Sequence, residues 1–383
     1  MNKYFLGVVL FAGAINPTSA YRPAGNNIMT TWGENIDPAN VWQEYPRPIM
    51  ERQDWQNLNG LWDYAIVSKD TSRPREWQGE ILVPFCAESA LSGVGKEVGE
   101  ENALWYRRSF SVPSSWKGRD VMLNFGAVDW QADVWVNGAK VGSHTGGYTP
   151  FSLDITQALK SGGDNEIIVR VWDPTDKGPQ PRGKQVSKPG LIWYTPVTGI
   201  WQTVWLEPVA RKHVAGLRIL PDIDRNTLKV DVTPSENISN GMVEVVAKDS
   251  GRQIASGRAV TGESVIVDMP ADVELWSPEN PKLYDLEVRL MSDGRTLDKV
   301  DSYAAMRKFS VKKGDKGVVR LQLNNRDLFH YGLLDQGWWP DGLYTAPSYE
   351  AMVFDVDKTK DWGYNMIRKH IKVEPALWYT YCD

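Results

Sequence analysis

Cysteine and histidine are scarce in this sequence: two cysteines, Cys86 and Cys382, and four histidines among 383 residues. The two cysteines fall in segments assigned below to different domains, so no disulfide between them is expected. No Cys/His spacing fits a metal site. An excess of basic charge is missing as well. Lys and Arg number 43 against 48 Asp and Glu, a net charge of −5, which argues against nucleic acid or an anionic membrane as partner. Beyond the first twenty residues no apolar run is long enough to span a bilayer, so no membrane partner is expected either.

What is present begins with a leader. Met1–Ala20 has one lysine (Lys3), an apolar run from Tyr4 to Ile15, and then Pro17-Thr18-Ser19-Ala20 with small residues at the −3 and −1 positions. It reads as a secretory signal cleaved before Tyr21, which makes the mature chain periplasmic or secreted. In that compartment a chain so poor in cysteine must be stabilised by its cores. The length suggests two or three domains. Eighteen tryptophans serve either the cores of β-sandwiches or the stacking of sugar rings.

Residues 21–209 read as many short strands with regular punctuation. Leu104, Tyr106, Arg108, Phe110 and Val112 alternate with Trp105, Arg107, Ser109 and Ser111, a period of two. Gln131 to Val136 and Ala139 to Gly142 flank Asn137-Gly138, a hairpin turn signal. The expected architecture is a jelly-roll β-sandwich. Residues 210–313 carry further short strands, among them Thr227–Thr233, Met242–Lys248, Tyr284–Met291 and Tyr303–Val311. They suggest an immunoglobulin-like β-sandwich without a cysteine pair.

Residues 314–383 change character. Leu328–Leu334 is a strand-length apolar run. Pro347 opens a helical pattern that Gly363 closes, Asn365–Ile371 reads as a second strand, and Pro375 opens a second helix. This βαβα order is the unit of a parallel sheet or a (β/α)8 barrel. The whole chain is therefore expected to be mainly β: a jelly roll, then an immunoglobulin-like sandwich, then the first βαβα part of a (β/α)8 TIM barrel.

Several stretches resemble glycoside hydrolase family 2, the family of β-galactosidases, β-glucuronidases and β-mannosidases. They are VPFCAESALSGV, FGAVDWQADVWVNGAKVGSHTGGYTPFSLDIT, TGIWQTVWLEP, Leu275-Trp276-Ser277-Pro278-Glu279-Asn280-Pro281, and Asn365-Met366-Ile367-Arg368 followed by Leu377-Trp378-Tyr379 and Cys382-Asp383. The resemblance implies a sugar-binding jelly roll, an immunoglobulin-like spacer and a catalytic barrel, in that order. It implies hydrolysis of terminal β-glycosides with retention, no organic cofactor, and a carbohydrate as partner. It leaves open a divalent metal and a homo-oligomer in the full-length enzyme.

The resemblance also points to site residues. Loops of the jelly roll are expected to reach the barrel mouth, and the long polar loop Trp172–Tyr194 offers Asp173, Asp176, Trp193 and Tyr194. Functional groups in such barrels sit at the C-terminal ends of strands. After the first strand these are Asp335, Trp338, Trp339 and Asp341. On the second, Arg368, His370 and Lys372 share one face by alternation, opposite Ile367 and Ile371; that face is either a sugar site or an exposed edge. Galactosidase-type members have Ser-His-Tyr-Pro where this chain has His370-Ile371-Lys372-Val373, so their sugar-contacting histidine has no counterpart here.

Both catalytic glutamates of the family lie on later barrel strands, so no catalytic residue and no metal ligand set is expected in these 383 residues. Asp335, Asp341 and Glu374 are the remaining carboxylates of this segment, suited to substrate hydrogen bonds or helix capping. Two strands cannot close an eight-stranded barrel, and their edges would be uncovered. The chain is thus expected to be the N-terminal part of a larger glycosidase, inactive alone. The alternative is a non-catalytic carbohydrate-binding module.

Overall fold

The computed structural model describes residues 21–160, 162–314 and 316–383. The expected leader, residues 1–20, lies outside the described residues. Strands take up 42% of the chain and helices 10%, so the fold is mainly β.

The period-two stretch expected around Tyr106 is the strand Asn102–Phe110, with Val112 just past its end. It lies inside a six-stranded antiparallel sheet ordered 79–83, 60–68, 102–110, 165–172, 131–136 and 139–145. A second sheet, ordered 56–57, 204–209, 120–125 and 151–154, packs on it. Leu104, Tyr106, Ile167 and Val169 from one sheet meet Leu123, Phe125 and Leu206 from the other in a single core. Alternation sends Trp105 outward, yet it is also buried, because Trp135 stacks on it at 5.7 Å and Ile168 packs alongside. The hairpin turn forms as the sequence requires, with φ of 52° at Asn137 and 84° at Gly138.

The next sandwich sets a three-stranded sheet, 214–222, 227–234 and 265–268, against a four-stranded one, 252–260, 241–249, 284–292 and 295–304. Val230, Val245, Val267, Leu286 and Val288 fill the space between them. The strand expected over Tyr303–Val311 is in fact two. Arg295–Ala304 ends, and Phe309–Lys313 begins in another sheet. Between them the buried Met306 accepts the Trp276 backbone N–H at 3.0 Å, which draws the chain out of the first sheet. Phe309–Lys313 pairs with Val319–Leu323, so a hairpin straddles residues 313 and 314.

Gly332–Asp335 and Met366–Lys369 then pair in parallel, with Leu333 opposite Ile367. The helix Tyr349–Asp361 connects them, and Ala376–Cys382 follows. Ser348 Oγ caps the first helix by accepting from Ala351 N at 3.2 Å, and Gly363 beyond its end has φ of 82°. Both strands are shorter than expected. Ahead of the first, Asn365 adds side-chain bonds to a backbone one: its N donates to the Tyr331 carbonyl at 3.0 Å, its Oδ1 accepts from Tyr331 N at 2.9 Å, and its Nδ2 donates to the Phe329 carbonyl at 3.0 Å. The second ends at Lys369 because Ile371 turns left-handed, φ 62°.

Three contacts tie this βαβα unit to the first sandwich. Trp42 Nε1 donates to the Ala346 carbonyl at 3.0 Å. Thr345 Oγ1 donates to the Trp201 carbonyl at 2.6 Å, with the Pro84 carbonyl 3.0 Å away as the alternative acceptor. Val41, Leu82, Phe85, Met352 and Trp378 form a shared apolar cluster.

Candidate functional site

The chain leaves the first parallel strand at Asp335 and enters a loop rich in aromatics. Trp338 lands 4.6 Å from the Tyr194 ring and 5.0 Å from Tyr344. Tyr344 in turn lies 5.2 Å from Trp201, and its hydroxyl meets that of Tyr148 at 2.7 Å. The sandwich loop that carries Tyr194 approaches closely because Gly183 has no side chain. It has φ of 53°, and a Cβ there would collide with the Tyr344 and Tyr148 hydroxyls.

Lys372 reaches this junction from beyond the second strand. Its Nζ lies 3.7 Å from the Tyr194 ring centroid and 5.8 Å from that of Trp338, and donates to Gln336 Oε1 at 2.8 Å. Burial, reinforced by the charges of Lys184 and Lys369, pulls its pKa down to about 8. His370 is also shifted down, first by desolvation and then by Lys184, Arg368 and Lys372.

The expected site residues divide. Tyr194, Trp338 and Lys372 form one cluster, and His370 adjoins it. Arg368 is exposed. Asp335 instead binds inward, at 2.6 Å from Lys369 Nζ, and accepts from Gly337 N at 2.7 Å. Trp193 is 44% exposed near the loop tip. Asp176 accepts from Ser187 Oγ at 2.6 Å, which holds its carboxyl below the usual range. Asp173 is buried, and its Oδ1 accepts from Thr175 N at 2.9 Å in a turn. The common face expected for Arg368, His370 and Lys372 does not exist. The left-handed Ile371 breaks the alternation, so Ile371 is 59% exposed and Lys372 only 5%.

Two groups were missed. Lys369 bridges Asp335 and, at 2.5 Å, Glu374; an alternating pattern places it on the apolar face, and nothing in the sequence marks it as an ion-pair centre. Lys184 was hidden in a polar loop. Asp341 is fully buried and structural, accepting from Thr30 N at 2.8 Å and Thr30 Oγ1 at 2.7 Å.

Beneath the loop lie three carboxyl groups. Asp129 accepts from Gln185 Nε2 at 2.9 Å, while Gln185 Oε1 accepts from Val197 N at 2.6 Å. Glu88 Oε2 accepts from Thr198 N at 2.8 Å and its Oε1 has no partner. Burial raises Asp129, Asp173 and Glu88 alike, Glu88 to about 8. Among the described residues no group of three His, Cys, Asp or Glu could hold a metal ion. The raised values fix a sign. The native state keeps protons that the unfolded chain releases above its ordinary carboxylate pKa of about 4. This contribution is complete below that pH and is lost as pH rises through about 8. The melting temperature should therefore fall between about pH 5 and about pH 9, and Glu88→Gln should flatten that fall. An unchanged slope in thermal melts of the variant would refute the assignment.

Two family models match in tandem: "Glycosyl hydrolases family 2, sugar binding domain" over residues 95–203 and "Glycosyl hydrolases family 2" over residues 212–307. A putative β-glucuronidase of Formosa agariphila is 27% identical over 361 residues, covering 89% of this chain but 41% of that protein. A β-galactosidase of Thermoanaerobacter pseudethanolicus is 32% identical over 216 residues, covering 53% of this chain and 28% of its own length. A solved β-glucuronidase from Ruminococcus gnavus, in complex with D-glucuronic acid, superposes with a TM-score of 0.73 at 19% identity, over 90% of this chain and 60% of that one. The chain thus spans less than half the length of these two sequence relatives.

Proposed function

The chain belongs to glycosyl hydrolase family 2, and we propose that it supplies the sugar-facing junction of a retaining β-glycosidase whose two catalytic carboxylates lie outside these 383 residues. On this reading the parallel pair and its helices begin a (β/α)8 barrel, the second sandwich is a spacer, and the leader sends the protein to the periplasm or beyond. Relatives named as β-glucuronidase and β-galactosidase support the reaction class. So does the exposure of Phe329, Leu334 and Val373 around the parallel pair, an apolar surface that further barrel strands would cover.

One observation carries the site. A loop of the first sandwich places Tyr194 against Trp338 at 4.6 Å, just past the C-terminal end of a parallel strand. That end is where barrel enzymes bind substrate, and aromatic faces suit the apolar faces of sugar rings. Titration of the chain with monosaccharides, followed by tryptophan fluorescence, should show saturable binding. Trp338→Ala should weaken it by about ten-fold or more, equivalent to about 1.4 kcal/mol. Equal binding by the variant would remove Trp338 from the site.

A further inference from the structure

Trp338 owes its place to the turn just before it, and that turn is clamped from two sides. Asp335 ends the first parallel strand, and its Oδ1 accepts from Gly337 N at 2.7 Å, which curls the chain one residue ahead of Trp338. Its Oδ2 lies 2.6 Å from Lys369 Nζ, so the carboxylate is held at both oxygens. Gly337 has φ of 54°, and a Cβ there would overlap Glu374 Oε1. That same oxygen is the second partner of Lys369, at 2.5 Å. One ammonium thus joins the two carboxylates that flank the turn. The side chains of Lys369 and Glu374 are 11% and 10% exposed, and the Trp378 ring centroid lies 4.6 Å from Lys369 Nζ. Two carboxylates so placed repel each other, and with so little exposure water screens them weakly. Without the cation the turn and the Glu374 segment would be driven apart, and Trp338 with the turn.

We propose that Lys369 is a positioning residue of the sugar junction: by joining Asp335 to Glu374 it fixes the turn that sets Trp338 against Tyr194. The inference rests on the reading that this junction holds the sugar, and adds to it a residue that acts through Trp338 rather than on the sugar itself.

The test is a double-substitution cycle on the 383-residue chain with two readouts. Acrylamide quenching of tryptophan fluorescence, taken as the difference between chains with and without Trp338, follows that ring alone. In the native chain Trp338 packs against Tyr194 and Tyr344 and should be quenched less than free tryptophan. Lys369→Met should raise its quenching constant toward the free value. Monosaccharide titration is the second readout. Lys369→Met should weaken binding by about ten-fold or more. Lys369→Met combined with Trp338→Ala should bind no more weakly than Trp338→Ala alone, as two changes that act through one contact must. Asp335→Ala, which removes the bond to Gly337 at a part-exposed position, should reproduce both effects in smaller measure. It stands in if Lys369→Met does not fold by circular dichroism. An unchanged quenching constant for Trp338, or sugar losses that add in the double variant, overturns the positioning role and leaves the junction intact. A quenching change in a folded chain that binds no sugar overturns the junction and leaves Lys369 as the residue that places Trp338. Neither effect in folded chains overturns both.

Discussion

Incubated with aryl β-glycosides, the 383-residue chain will release aglycone no faster than buffer does. Retaining hydrolysis needs two carboxyl groups about 5–5.5 Å apart, one ionised and free to attack, the other protonated and free to reach the leaving oxygen. Among the described residues at the strand ends, Asp335 and Glu374 come nearest to that description. Lys369 Nζ lies 2.6 Å from one and 2.5 Å from the other, so a shared ammonium occupies the faces a substrate would need. Glu374 is raised by burial and lowered by Lys369; its side chain is 10% exposed. Asp341 is buried under Thr30. Glycosidases exceed the uncatalysed rate by many orders of magnitude, so the expected difference from an active enzyme is very large. Retaining hydrolysis above blank, abolished by Glu374→Gln, would show that the catalytic pair is present after all.

The second large effect is structural. Arg52 is 6% exposed where the two sandwiches meet. Its Nη1 and Nη2 donate to Asp298 Oδ1 and Oδ2 at 2.8 and 2.9 Å, and Nη2 also donates to the Val214 carbonyl at 3.0 Å. Its Nε lies 3.6 Å from Glu207 of the first sandwich. Glu207 is further held by Tyr45 Oη at 2.6 Å and by Arg47 and Trp205, both at 2.5 Å. Arg52→Met leaves Asp298 buried with the Val214 N–H as its remaining donor, at 2.8 Å. Removing one partner of a buried pair costs about 3–5 kcal/mol. Calorimetry should show a melting temperature lower by several degrees and a separation of the two sandwiches' transitions. Arg52→Lys should recover little, because a lysine cannot form the paired contact with Asp298. A loss below about 1 kcal/mol would show that the junction does not depend on Arg52.

The sandwiches were legible because their strands announce themselves by alternation and by turn residues such as Asn137-Gly138. Arg252–Val260 and most of Arg295–Ala304 went unseen; the first sets Arg252, Ser256 and Arg258 on one side and Gln253 with small residues on the other and lies at a sheet edge, so it lacks the apolar alternation of an internal strand. The βαβα order was readable from Pro347, Gly363 and Pro375, whereas the strand ends were not. Those ends depend on Asn365 bonding to the backbone of residues 329 and 331, and on a left-handed Ile371, which no local propensity favours.

The site was legible in part for the same reason. Tyr194, Trp338 and Lys372 could be named one by one. Their meeting depends on Gly183 admitting Tyr344, a contact 161 residues apart in sequence. Lys369 looked like a strand residue facing apolar neighbours, and only the fold reveals Asp335 and Glu374 on either side of it.

The most direct test is the position of a bound sugar in a crystal of the chain soaked with a monosaccharide. The account places the ring against Trp338 and Tyr194, within reach of Lys372. A sugar seated instead in the cleft between the sandwiches, lined by Glu51, Arg119, Asp298 and Lys299, would contradict it.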